Sequence, residues 1–267
     1  MVFELLSQSV FDFLKENAFA PFPLWHIRSF AAQILEAVEF LHHLGLIHTD
    51  LKPENLMLEE NTTRIVPAVK RNAKSRKELL STRIRLIDFG SAIFEEDYHS
   101  SVVSTRHYRA PEIILSLGWS YPCDMWSIGC ILVEFFTGDA LFQTHDNLEH
   151  LALMEAILGR IPAEMCRNPT SGAERFFKAG RVDFPNSKTK PQSKKFVKQT
   201  KSLKDLIRPN NDELNDFYDL IGKMLTYSPR DRITARDALR HPFFTHAPGD
   251  GGGGGGGRAG SSHRTSR

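Results

Sequence analysis

The stretch that decides the fold of this chain reads IHTDLKPEN at residues 47–55, a polar loop that follows a helical segment. Two short apolar runs come after it, LML at residues 56–58 and IRLI at 84–87, and a long polar insert separates them. Their length and composition predict two short β-strands. The second run leads directly into Asp88-Phe89-Gly90, where the glycine permits a sharp turn.

Helices account for most of the rest. From Trp25 to Leu44 the apolar residues recur at the spacing of one helical face, and Gly45 follows where a helix would stop. The run from Asp124 to Phe136 is apolar nearly all round, which predicts a helix in the interior of the protein. Further amphipathic segments are predicted at residues 148–158, 213–225 and 234–239, and an irregular segment at 168–204. We also expect the helical aromatic residues Trp25, Phe30 and Phe40 to lie in the core.

Composition is ordinary for a soluble globular domain, with 41% hydrophobic and 25% charged residues among 267. The net charge of +2 gives no indication of nucleic-acid binding. No apolar stretch is long enough to span a bilayer, and the first residues lack the features of a signal peptide. Three cysteines without a CxxC pair predict reduced thiols and no structural zinc.

Two polar segments carry the chemistry. Phosphoryl transfer from ATP needs a carboxylate beside the acceptor hydroxyl and further oxygen ligands that hold magnesium on the triphosphate. Asp50, Lys52 and Asn55 lie along one short loop, and Asp88 ends a predicted strand. Together these residues supply that set of groups.

In this order and spacing, the two segments resemble the catalytic loop and the Asp-Phe-Gly motif of protein kinases. The resemblance implies that Asp50 is the catalytic base and that Lys52 neutralises the transferring phosphoryl group. It implies that Asn55 and Asp88 ligate Mg2+, and that the Thr105 hydroxyl bonds Asp50 and Lys52. The implied cofactors are ATP and Mg2+.

More of the kinase pattern follows in register. Ala110-Pro111-Glu112 matches the motif that closes the activation segment, and Arg232 lies where kinases have the arginine that pairs with that glutamate. Asp124 begins the segment similar to the buried central helix, where the aspartate holds the backbone of the catalytic loop. These residues are expected to support the site without touching substrate.

The subfamily is indicated by two further segments. The sequence STRHYRAPE at residues 104–112 is similar to the group of cyclin-dependent, MAP and CDC-like kinases, and EHLALMEAILG at 149–159 is similar to the motif that names the LAMMER, or CDC-like, dual-specificity kinases. The second departs from that motif at Leu153 and Ala156. Thr49, in place of the usual arginine before the catalytic aspartate, is also typical of this family, and the resemblance is closest to plant-type members.

The resemblance to LAMMER kinases implies protein substrates, in particular arginine/serine-rich splicing factors, which would be phosphorylated on serine or threonine and also on tyrosine. It implies a nuclear location, with the cytoplasm as a second compartment. No direct nucleic-acid partner and no membrane partner are expected. The sequence does not predict an oligomeric state.

The fold class that follows is α+β, mostly α: a kinase-like C-terminal lobe with short β hairpins and without the small β-rich N-terminal lobe. Residues 1–6 resemble a remnant of the hinge strand, in which Glu4 and Leu6 would bind adenine; Glu54 would also contact the nucleotide. Residues 7–247 would form the C-lobe, with a family-specific insert at about 148–208, and the Gly-rich residues 248–267 would be a disordered tail. Because the small lobe that would cover them is expected to be missing, Leu5 and Leu58 are expected to be exposed.

Two functions remain open on this basis. The chain is part of an active LAMMER-type kinase, or it is a non-catalytic short form that docks substrates or partners. A second open question concerns the basic insert at about residues 62–83, since Arg64 to Arg85 contains eight Lys or Arg and one acidic residue. It is interpreted as a solvated loop, with docking or nuclear import as the alternative.

Overall fold

The computed structural model describes residues 4–67, 75–167 and 172–245. Helices dominate the described residues. They are α1 (Val10–Glu16), α2 (Leu24–His43), α3 (Pro111–Ile114), α4 (Pro122–Thr137), α5 (Asn147–Leu158), α6 (Ala163–Arg167), α7 (Pro191–Gln199), α8 (Leu203–Ile207), α9 (Asp212–Met224), α10 (Ala235–Ala238) and α11 (Pro242–Thr245).

The strands of the described residues are short and pair in antiparallel twos: β1 with β6, β2 with β5, β3 with β4, and β7 with β8. They are β1 (Leu46–Ile47), β2 (Leu56–Leu58), β3 (Thr63–Val66), β4 (Arg76–Leu79), β5 (Ile84–Leu86), β6 (Ile93–Phe94), β7 (Phe177–Lys178) and β8 (Arg181–Val182). The prediction of a mostly helical fold with short hairpins, including the strands at 56–58 and 84–87, is therefore confirmed.

Helix α4 forms the centre of the core, as its apolar sequence predicts. Thirteen consecutive residues, Cys123 to Phe135, are buried. Gly129 lets α9 approach closely, because a Cβ there would lie 2.9 Å from Leu225. The helix ends at Gly138, which has φ of +85° and no room for a side chain, since a Cβ would lie 2.1 Å from the carbonyl oxygen of Phe19. In the described part of the chain no helix is long and apolar enough to cross a membrane.

Helix α2 packs against α4 through the predicted apolar face, on which Ile27, Ile34 and Val38 are fully buried. The prediction for its aromatic residues is correct for Phe30 and wrong for Trp25 and Phe40, which are 44% and 59% exposed. At 3.6 residues per turn, both of these rings fall on the side of α2 opposite the buried face. Position on the helix, rather than aromatic character, decides their burial.

The basic insert is a docked hairpin over its described residues, and the interpretation as a loop is wrong there. Strands β3 and β4 pair from Thr63↔Leu79 to Val66↔Arg76, and residues 68–74 lie outside the described part. Asn17 anchors β4 through two hydrogen bonds, because its amide nitrogen donates to the carbonyl of Lys77 and its amide oxygen accepts from the same residue's N–H, both at 2.9 Å. The buried His26 ring lies 3.0 Å from the carbonyl oxygen of Leu79.

The segment at 168–204 is more regular than its sequence indicates. It contains the β7–β8 hairpin and helix α7, which packs on α5. Helix α7 is rich in lysine and has no buried residue, so its sequence lacks the continuous apolar face from which a helix is recognised. Residues 168–171 and the Gly-rich tail at 248–267 lie outside the described residues.

At the beginning of the chain, residues 7–9 run alongside β2. Ser7 donates its N–H to the carbonyl of Leu58 at 2.9 Å, and Ser9 bridges to Met57. Leu5 is 95% exposed, as expected, but Leu58 is fully buried and that expectation is wrong. Helix α1, which directly follows residues 7–9, packs on β2 and contributes to its burial.

Candidate active site

The β2–β5 hairpin brings the two polar segments together. Leu56 pairs with Leu86, and just beyond this pair the N–H of Ile87 donates to the carbonyl of Asn55 at 2.9 Å. Asn55 therefore ends its loop directly opposite the residue that precedes Asp88. Asp88 itself has φ of +63°, and its Oδ1 accepts from the N–H of Gly90 at 3.3 Å. The three antiparallel residue pairs between β2 and β5 thus place both predicted metal ligands at one end of the hairpin.

The loop before Asn55 is held by Asp124, as predicted. This fully buried carboxylate accepts one hydrogen bond from the N–H of His48 and one from the N–H of Thr49, both at 2.9 Å. His42 Nε2 lies 3.0 Å from the same carboxylate. Thr49 has φ of +68°, a costly conformation for a β-branched residue, and the two charge-assisted bonds to Asp124 offset that cost.

Three side chains meet at the predicted catalytic position. Lys52 Nζ lies 2.6 Å from Asp50 Oδ2, while Asp50 Oδ1 accepts from both the backbone N–H and the hydroxyl of Thr105, at 2.9 and 2.7 Å. Lys52 Nζ also lies 3.5 Å from the Thr105 hydroxyl oxygen. The amide nitrogen of Asn55 donates to the carbonyl oxygen of Asp50 at 2.9 Å. Residues 50–55 and Thr105, 50 or more positions apart, thereby form one cluster.

These contacts set the charge of the cluster. Partial burial disfavours the ionised form of Asp50, but the hydrogen bonds from Lys52 and Thr105 outweigh it and hold the pKa of Asp50 below its ordinary value. The pKa of Lys52 is raised, chiefly by its hydrogen bond to Asp50. At neutral pH the site therefore contains an anionic carboxylate beside a cationic ammonium group.

The oxygen donors suit magnesium. Because the Asn55 amide nitrogen is bound to Asp50, its amide oxygen is left for a cation, and Asp88 adds a carboxylate. Mg2+ prefers such hard oxygen ligands and takes only one or two of them from protein, with the remainder from phosphates and water. Within the described residues, no group of three or more His, Cys, Asp or Glu is placed so that it could hold a metal ion.

The remaining predicted nucleotide contacts are less closely joined to the cluster. Glu54 lies on the same loop, exposed in the single turn Pro53–Asn55. Glu4 and Leu6 lie in the segment before residue 7, which is neither helix nor strand, and the Glu4 carboxylate is 3.9 Å from Arg85. Phe3, which precedes them, lies outside the described residues.

The predicted supporting pair forms in the interior. Arg232 donates to both carboxylate oxygens of Glu112, at 2.7 and 2.9 Å, and both side chains are essentially inaccessible to water. Its remaining N–H groups donate to three backbone carbonyls, those of Pro122, Thr226 and Tyr227. The pair connects the end of the activation segment to the loop after α9.

Sequence reasoning missed a second buried contact under the activation segment. The hydroxyl of Tyr108 donates to Glu134 in α4 at 2.7 Å. Burial raises the pKa of Glu134 to about 7, although the hydrogen bond from Tyr108 opposes the rise. The signal that could have indicated it is the acidic Glu134 in the C-terminal half of α4, where its neighbours in sequence are apolar.

A carboxylate held between a lysine and a threonine, with an asparagine and a second aspartate brought together by the neighbouring hairpin, is the arrangement of the protein kinase class. The comparisons agree: the protein kinase domain model matches residues 1–244, and the chain belongs to that family. A crystal structure of a kinase domain superposes with a TM-score of 0.82 at 35% identity, covering 90% of this chain and 71% of that one.

Similar curated proteins confirm the resemblance to LAMMER, or CDC-like, kinases. The chain is 54% identical to dual specificity protein kinase lkh1 of Schizosaccharomyces pombe, 49% to serine/threonine-protein kinase AFC3 of Arabidopsis thaliana and 46% to dual specificity protein kinase CLK4 of Homo sapiens. These matches cover 92%, 91% and 91% of this chain but 36%, 62% and 50% of the relatives. The expectation of a missing small lobe is not confirmed, since the family match begins at residue 1.

Proposed function

We propose that this chain provides the substrate-binding and catalytic lobe of a LAMMER-type kinase, which transfers phosphate from ATP to serine and threonine, and also to tyrosine, in protein substrates. The observation that carries the proposal is the Asp50 carboxylate, fixed by Lys52 on one oxygen and Thr105 on the other. Phosphoryl transfer depends mainly on positioning and on charge stabilisation. A carboxylate restrained in this way is suited to both tasks.

Each residue of the cluster has a distinct task in this proposal. Asp50, kept ionised by its neighbours, orients the acceptor hydroxyl and accepts its proton. Lys52 offsets negative charge that develops between donor and acceptor. Thr105 holds the carboxylate in place through two hydrogen bonds, so that Asp50 faces the acceptor without reorganisation.

Asn55 and Asp88 would hold Mg2+, and the backbone of residues 4–6 together with Glu54 would contact the nucleotide. The metal, when bound, supplies positive charge on the triphosphate. The chain contributes the hairpin geometry that keeps the two oxygen ligands together, through the bond between Ile87 and Asn55.

We propose arginine/serine-rich splicing factors as the substrates and the nucleus as the compartment, on the basis of the relatedness to the dual specificity kinases lkh1 and CLK4. We further propose that residues 1–247, expressed alone, do not phosphorylate substrates at a useful rate. They present the acceptor-side groups, the metal ligands and one side of the nucleotide site, whereas efficient transfer also needs groups that cover the triphosphate and exclude water.

The test compares residues 1–247 with a chimera that carries the small lobe of a LAMMER kinase, each as wild type and as Asp50→Asn. Phosphate transfer to an arginine/serine-rich peptide and to a peptide with lysine in place of arginine is measured. We expect transfer by the chimera, abolished by Asp50→Asn and weaker on the lysine peptide, and none by residues 1–247. Transfer by residues 1–247 that requires Asp50 would refute the second proposal, and an inactive chimera would favour the non-catalytic docking form.

A further inference from the structure

A hydrogen bond joins Arg106, in the activation segment that closes at Glu112, to the start of α5. Arg106 Nη1 donates to Asn147 Oδ1 at 2.6 Å, and both residues are partly buried. Asn147 is the first residue of α5, and Arg106 directly follows Thr105. Since Thr105 binds Asp50 through its backbone and its hydroxyl, Asn147 is connected to the catalytic cluster through one side-chain contact and one peptide bond.

The contact matters because like charges crowd this part of the segment. Arg109 lies three residues after Arg106 and donates to the carbonyls of Val103 and Ser104 at 2.9 and 2.7 Å. Burial is the main cause that lowers the pKa of Arg109, and the positive charge of Arg106 is the second. The two guanidinium groups are therefore near enough for their charges to interact, and Arg106 has a side-chain hydrogen bond to Asn147. Asn147 provides a neutral oxygen at that place.

Helix α5 is itself held firmly enough to act as such an anchor. The Asp146 carboxylate caps its start by accepting from the N–H of Glu149 at 2.9 Å. The Glu149 carboxylate accepts hydrogen bonds from Thr144, at 2.7 Å, and from Ser193 of α7. One turn after Asn147, the His150 ring is fully buried beside Phe142. Burial lowers the pKa of His150 to about 3, so it adds no further charge beneath the arginines.

We propose that Asn147 is a positioning residue for phosphoryl transfer: by holding Arg106 it keeps Thr105 in contact with Asp50. The proposal rests on the kinase activity proposed above. Helix α5 contains the segment that is similar to the LAMMER motif. The proposal gives the first residue of this helix a task in aligning Asp50, in addition to the packing of the helix in the core.

The experiment uses the chimera that carries the small lobe of a LAMMER kinase, as wild type and as the variants Asn147→Ala, Asn147→Asp and Asn211→Ala. Asn211 caps α9 by accepting from the N–H of Leu214 at 2.8 Å, so its loss lowers stability without touching the activation segment. We expect Asn147→Ala to lower kcat/KM for a protein substrate about tenfold, the usual effect of a lost charge-assisted hydrogen bond. Asn147→Asp should restore the rate, because a carboxylate also accepts from Arg106.

Hydrogen exchange gives a readout that needs no activity. The Thr105 N–H, which donates to Asp50, should exchange faster in Asn147→Ala than in wild type, and at the wild-type rate in Asn147→Asp and Asn211→Ala. If exchange changes in this way in a protein that transfers no phosphate, the positioning holds and the proposed function fails. Equal exchange in all four proteins, or an equal loss of rate in Asn147→Ala and Asn211→Ala, would overturn the proposal.

Discussion

Removal of the Arg232 side chain is expected to be among the most destabilising single changes in this protein. Arg232 and Glu112 are 0% and 1% exposed, and two hydrogen bonds of 2.7 and 2.9 Å join them. Arg232→Ala would leave Glu112 ionised or protonated without a partner in the interior. It would also release the three backbone carbonyls that the guanidinium group now satisfies.

The magnitude follows from that geometry. Breaking a buried ion pair by removing one partner costs about 3–5 kcal/mol, because the remaining charge is desolvated and uncompensated. A domain of this size has a total stability of roughly 5–15 kcal/mol. The expected loss corresponds to a fall in melting temperature on the order of 10 °C.

Thermal and urea unfolding, followed by circular dichroism, would measure the effect. Lys188→Ala provides the control, since Lys188 is exposed and a surface lysine contributes little. The double variant Glu112→Gln/Arg232→Met should recover part of the loss, because it removes the stranded charge. If Arg232→Ala unfolds within 1–2 °C of Lys188→Ala, a threshold of roughly half a kcal/mol, the reasoning about the buried pair is wrong.

Three further predictions concern the site and its surroundings. Thr105→Val removes a hydrogen bond that lowers the pKa of Asp50, so this pKa should rise and the acidic limb of the pH profile of kcat/KM should move to higher pH. If the limb does not move, the Thr105 hydroxyl has no influence on the pKa of Asp50. The chimera with a small lobe should be active without phosphate on Ser100, Ser101 or Ser104, because Thr49 stands in place of the arginine that pairs with a phosphorylated segment in many kinases and cannot form a bidentate ion pair. Mass spectrometry and rates after phosphatase treatment check this, and strict dependence on phosphate would contradict it. Replacement of the Lys and Arg residues of 70–77 by Gln should weaken binding of acidic partners and lower nuclear accumulation. If neither changes, these basic residues have no role in docking or import.

The sequence allowed the helices and the polar loops to be predicted because their signals are local. Helix α4 is apolar over four turns, and the glycine at position 138 ends it, so its position and burial could be predicted from neighbouring residues alone. The chemistry of residues 47–55 and 88–90 was likewise recognisable, since the spacing of Asp50, Lys52 and Asn55 along one loop is a property of the chain.

Weakly patterned elements were not predicted. Helix α7 presents no buried residue, and the β3–β4 hairpin is charged along much of its length, so neither has the apolar periodicity that distinguishes a helix or strand from a loop. Both are stabilised by contacts with distant parts of the chain. Examples are Ser193 with Glu149, and Asn17 with Lys77.

The sequence by itself determined which groups are present: an aspartate, a lysine, two further side chains with oxygen donors and the residues that support them. The resemblance to kinases implied two of the pairs, but only the tertiary structure brings the partners into contact, because they lie far apart in the chain: Thr105 is 55 residues from Asp50, and Arg232 is 120 from Glu112. The hydrogen bond of Arg106 to Asn147 belongs to the same class. Such contacts leave no local pattern, since they arise when packing of α4, α5 and the hairpins brings side chains together and excludes water from between them.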